Sequence, residues 1–233
     1  MTAAEPAVAE LSVWRSVRAT VSSMSDDFLR FVAGNLLWLL CAAAALLLGR
    51  FFLPAHLLAV LLVPASFGLA RMAANSVRGR PARLYQFRAA AWHRGAAGFG
   101  LGFAQLLAVT LGALNIILGV RAASLLLALS AIFSGYVLLA VGATIATMWP
   151  LLLDPVRDQV PTRRLCRLAL TVIAARPGRI IVLVLIEALL VAVGLQAFIA
   201  AVLLPSFGIL LASWVVLTAA DQIEANGAAG PES

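Results

Sequence analysis

From Ile180 to Ala220 the chain runs 41 residues with one ionisable side chain, Glu187. As a helix it would extend about 60 Å, roughly twice the hydrocarbon thickness of a bilayer. It must therefore fold back on itself. Gly194, Gln196, Pro205 and Ser206 supply helix-weakening residues for a break between Gly194 and Ser206.

The same apolar character recurs upstream, over 31–48, 51–70, 95–120 and 122–153. A chain with 63% apolar and 12% charged residues lies outside the globular range. Lipid offers backbone groups no hydrogen-bond partner, so spans are helices or a closed barrel. Barrel strands alternate apolar and polar residues, whereas Leu36-Leu37-Trp38-Leu39-Leu40 does not. The predicted fold is all-α: a polytopic membrane helix bundle of six transmembrane helices in three hairpins, with interfacial amphipathic helices. Expected spans are 31–49, 53–70, 96–119, 123–150, 180–198 and 203–220. Residues 1–30 form an N-terminal segment with an interfacial helix, and 221–233 are expected to be a disordered tail.

All 17 basic residues are arginine. Fifteen fall in the N-terminal segment and in the second-to-third and fourth-to-fifth connections, and only Arg50 and Arg121 lie on the other side. The positive-inside bias then predicts both termini in the cytoplasm. A charged n-region and a cleavage site are missing from the first thirty residues, so no signal peptide is expected. Each hairpin is preceded by a surface helix. Leu11, Trp14, Val17, Val21, Met24, Phe28 and Phe31 recur at three- and four-residue steps, and Leu165, Leu168, Val172 and Ile173 stand opposite Arg163, Arg164 and Arg167. Leu84, Phe87, Ala91 and Trp92 form a weaker third case.

Glu187 is the sharpest chemical signal, because a carboxylate inside a span either binds a cation, polar solute or proton, or serves packing as a hydrogen-bonded or neutral group. Both readings stand. Asn35, Gln105, Asn115 and Gln196 are the other strongly polar span residues, and amides in lipid commonly bond across helix interfaces. Gln105 and Glu187 would share a central polar site if they occupy matching places in two hairpins. Gly98 and Gly102, four apart, suit close helix crossing rather than a nucleotide loop. His56 and His93 neighbour no carboxylate or cysteine at ligand spacing, and Cys41 and Cys166 suggest no pair. No metal, cofactor or catalytic cluster is expected, and the chain reads as a non-enzyme. Arg78, Arg80, Arg83, Arg88, Arg94, Arg163, Arg164 and Arg167 border the spans, where anionic lipid headgroups or a protein partner account for them better than nucleic acid does.

Local words carry a resemblance. Asn35-Leu36-Leu37-Trp38-Leu39-Leu40, Pro64-Ala65-Ser66, Gln86-Phe87 with Trp92-His93-Arg94, Met148-Trp149-Pro150 and the basic helix from Arg163 to Arg176 together resemble the YesL-like family of bacterial integral membrane proteins. The likeness covers roughly residues 11–220, and its alanine-rich spans and arginine in place of lysine depart from the family pattern. It implies a multi-pass protein of the bacterial plasma membrane, of no assigned biochemical activity, found beside ABC-type carbohydrate uptake systems. The function expected is an accessory or assembly component working with transporter subunits. The alternative is a small solute or proton-coupled transporter that uses Glu187.

Overall fold

Long apolar runs in lipid must satisfy their backbone hydrogen bonds within the segment, which favours helix, and in the computed structural model the described residues form helices joined by short turns, with no strand among them. Those residues are 13–51, 62–91, 95–121, 124–196 and 198–228. They form nine helices: α1 (Val13–Asp26), α2 (Phe28–Phe51), α3 (Leu62–Val77), α4 (Leu84–Ala91), α5 (Gly95–Arg121), α6 (Leu125–Leu152), α7 (Thr162–Ala175), α8 (Pro177–Gln196) and α9 (Phe198–Ala228). Among the described residues four stretches are long and apolar enough to cross a bilayer: Gly98–Arg121, Leu125–Leu152, Pro177–Gly194 and Leu203–Gly227. A fifth is counted when α1 and α2, which meet at 92°, are taken together. The chain is a helical membrane protein on this evidence. The upstream part of the expected span 53–70 lies outside the described residues.

The pairs α2–α3 and α5–α6 pack antiparallel. Gly112 of α5 sits against Leu138 of α6, and Gly119 against Leu127 and Ala131. In α8 and α9 the Glu187 side chain lies against Gly208, and in α2 and α3 Gly34 meets Leu69 and Met72. Gly102 contacts Val63, so a side chain there would collide with α3, in keeping with close crossing. Around these pairs α9 is central, touching α1, α2, α3, α6, α7 and α8.

Burial is uneven along the bundle. Phe67, Leu151, Leu152, Leu165, Val172, Ile180, Leu211 and Leu217 are all within 2% of complete burial and converge at one end. Toward the other end Val120, Leu125, Leu126 and Phe133 are 69–79% exposed. Such side chains are stable without protein cover only against hydrocarbon.

Two boundaries differ from the sequence expectation. α3 continues past Ala70 to Val77, and α9 past Ala220 to Ala228, so 221–228 is helix rather than disordered tail. The reason is shared: the charges that seemed to end each span, Arg71 and Asp221, are neutralised by partners distant in sequence. The N-terminal periodicity, expected to run unbroken to Phe31, is split at Asp27. The side chain of Asp27 pairs with Arg30 and accepts the Ala82 N–H at 3.2 Å. On α4 the packed residues are Phe87, against Gly68, and Ala90, while Leu84 is exposed.

Candidate functional site

Three connections bring charge to the well-packed end of the bundle. The first is the end of α3, where Gly79 at φ +67° closes the helix: Arg80 N–H bonds to Asn75 O at 2.8 Å and Gly79 N–H to Ser76 O at 3.0 Å. This is a Schellman cap, in which glycine takes the left-handed conformation without steric cost. It sets Arg78 as the capping residue, aimed at the bundle. The second is the turn after α6, carrying Asp154, Arg157 and Asp158, and the third is the last turns of α9, carrying Asp221 and Glu224 on one face.

There the side chains interlock. Arg71 forms a two-pronged pair with Asp158 at 2.6 and 2.7 Å and also donates to the Leu153 carbonyl at 3.0 Å. Arg78 donates to Asp154 at 2.6 and 3.1 Å and to Asp221 at 2.7 and 3.0 Å. Arg157 reaches Asp154, Asp221 and Glu224 together. Asp154 is fully buried and Arg157 is 3% exposed. Charges so desolvated persist only when paired and hydrogen-bonded on most sides, and planar guanidinium forks meet that requirement. The hydrogen bond to Asp221 outweighs the cost of burial and, with that to Asp154, holds the Arg78 guanidinium above its ordinary pKa. Burial opposes the charge of Arg157, but hydrogen bonds to Glu224 and Asp221 reverse the effect and raise it too. Arg176 adds a hydrogen bond to Gln222, tying the α7–α8 junction to α9.

The lattice was not anticipated from sequence, and it changes the account of Arg78. That residue was expected to meet lipid or a partner; instead its charge is spent inside the fold. Arg163, Arg164 and Arg167 are exposed along α7, opposite buried Leu165, Ala169 and Val172, with no ion pair among the described residues. Arg80 and Arg83 are exposed, Arg88 is placed by its backbone on α4, and Arg94, His56 and His93 lie outside the described residues.

The span amides mostly join helices. Gln105 accepts from Trp149 Nε1 at 2.7 Å, and Trp149 packs edge-on against Phe67 with ring centroids 5.3 Å apart. Asn115 donates to Ser130 Oγ and Ser134 Oγ, each at 2.7 Å. Asn35, wholly buried, accepts from Ser206 Oγ at 2.8 Å, while its Nδ2 has no partner among the described residues. Gln196 is exposed at the end of α8. No hydrogen bond joins Gln105 to Glu187: the first turns to α6, the second lies against Gly208 of α9. Among the described residues no group of histidine, cysteine and carboxylate side chains has the geometry to hold a metal ion. No family model, no curated protein and no solved structure matches this chain.

Proposed function

We propose that this chain is a six-span protein of the bacterial plasma membrane, with three hairpins and both termini cytoplasmic, that serves as a non-enzymatic accessory component of a carbohydrate uptake system. The single observation that carries the reading is the division of its arginines. Arg71, Arg78 and Arg157 are consumed by internal carboxylates, whereas Arg163, Arg164 and Arg167 form an uncompensated row on the outward face of α7. A rigid ionic base holding a helix whose cations face outward suits docking to an acidic surface on a transporter subunit. The resemblance to the YesL-like family supplies the carbohydrate context, and the 15 to 2 arginine division supports the orientation.

The test is affinity purification from a native membrane with mild detergent, alongside saccharide uptake in a deletion strain. Transporter subunits should co-purify with the wild type and be lost in Arg163→Gln/Arg164→Gln/Arg167→Gln, with uptake reduced on deletion. Unchanged uptake together with no co-purifying subunit refutes the reading. A second reading rests on Glu187, which makes no hydrogen bond among the described residues and lies beside Gly208, on the inward side of α8. Solute or proton flux in liposomes that disappears in Glu187→Leu would establish transport instead.

A further inference from the structure

The outward face of α1 borders a groove of about 550 Å³ whose lining, among the described residues, is Trp14, Arg15, Val17, Arg18 and Val21. α1 is docked from its other side: Ser16 and Thr20 are 4% and 0% exposed, and Trp214 Nε1 donates to Ser23 Oγ at 3.3 Å. Trp14, by contrast, is 80% exposed and Val21 55%. Arg15 and Arg18 are one helical turn apart, close enough for both guanidiniums to reach one anion. Neither makes an ion pair among the described residues, and no carboxylate lines the groove there. Because α1 meets α2 at 92°, a membrane-crossing α2 lays α1 along the bilayer surface, at the depth where phosphate gives way to acyl chain.

We infer that this groove binds an anionic phospholipid, its phosphate between Arg15 and Arg18 and the start of an acyl chain against Trp14, Val17 and Val21. The inference rests on the reading that α2 crosses the membrane. An acidic protein segment would satisfy the two cations but leave the tryptophan and valines against water. A zwitterionic headgroup would bring a second cation to a groove in which no described residue is a carboxylate. The phosphate diester with attached hydrocarbon matches both halves of the lining.

The full chain, purified in a mild detergent, is titrated with phosphatidylglycerol or phosphatidylcholine and followed by native mass spectrometry. Phosphatidylglycerol should bind preferentially, and Arg15→Gln/Arg18→Gln should weaken it roughly 30-fold, from about five-fold per cation at an anionic surface. Arg15→Lys/Arg18→Lys should retain binding within a few-fold. Equal binding by wild type and the double glutamine variant, with the same melting temperature, overturns the proposal, as does equal binding of the two lipids. A large gain in affinity in Glu5→Gln/Glu10→Gln also overturns it, by assigning the groove to the chain's own acidic segment. Labelling of single cysteines at Ser25→Cys and Arg50→Cys by a membrane-impermeant maleimide separates the two levels: labelling of both from one side defeats the reading that α2 crosses, whereas labelling from opposite sides with unchanged lipid binding defeats only the site.

Discussion

Replacing Asp154 by asparagine keeps its shape and removes its charge from the centre of the lattice. Asp154 is fully buried and receives Arg78 Nε and Nη2, Arg157 Nη1 and the Val156 N–H. The amide can accept at one oxygen only, so at least one guanidinium donor turned toward it is left facing an amide N–H. Arg78 retains Asp221, and Arg157 retains Asp221 and Glu224, but these carboxylates are 44% and 47% exposed and do not replace the buried charge. Breaking a buried pair from one side costs about 3–5 kcal/mol. For a chain of this length that corresponds to a fall in melting temperature of roughly 10 °C. The assay is thermal unfolding in detergent at fixed heating rate, read by intrinsic tryptophan fluorescence and by loss of the monodisperse chromatographic peak. Adding Arg157→Met should recover part of the loss, because the buried guanidinium donor left facing the amide is then gone as well. The loss should persist in raised salt, since a buried pair is little screened. A fall of less than about 2 °C in Asp154→Asn would refute the view that the lattice fastens this end of the bundle.

Gly79→Ala should cost about 1 kcal/mol through its left-handed backbone alone, because nothing lies within 4 Å of the added carbon. Gly79→Asn should cost less in the same melting assay, and an alanine variant as stable as wild type would refute the cap. Gly102→Val should lose about 1–3 kcal/mol by collision with Val63, while Gly100→Val, in open space, stays near wild type. Equal melting of the two variants would count against a close α3–α5 crossing. Trp149→Phe should cost about 1 kcal/mol by orphaning the Gln105 carbonyl, and the double change with Gln105→Leu should cost less than the two single changes added. Strict additivity would show that this hydrogen bond is not made.

Much of the helix layout is legible because its signal is local. The last apolar run folds back on itself, bringing Gly208 of α9 beside Glu187 and Leu190 of α8, because a single helix of that length has no place in a bilayer. The inward face of α7 follows from the spacing of Leu165, Leu168, Val172 and Ile173. What escaped is long-range. The 71–94 segment holds arginines and no acid, so Arg78 reads as a free cation until Asp154 and Asp221 arrive from positions 76 and 143 residues onward. A carboxylate at the foot of an apolar run looks like a span end, so Asp221 hid the last turns of α9. Its partner Glu224, three residues on, was the available clue, since that spacing places both on one helix face. The pairing of Asn35 with Ser206, 171 residues away, left no local trace either.

The 143 residues between Arg78 and Asp221 also impose an order in time. At ordinary rates of synthesis roughly 10 s separates the emergence of the two. Through that interval the end of α3 and the turn after α6 have no α9 to close against, and the nascent chain is at its most exposed to proteases and chaperones. Arrival of α9 is then the step that completes the ion-pair cluster, adding Asp221 and Glu224 to the guanidiniums that Asp154 already holds.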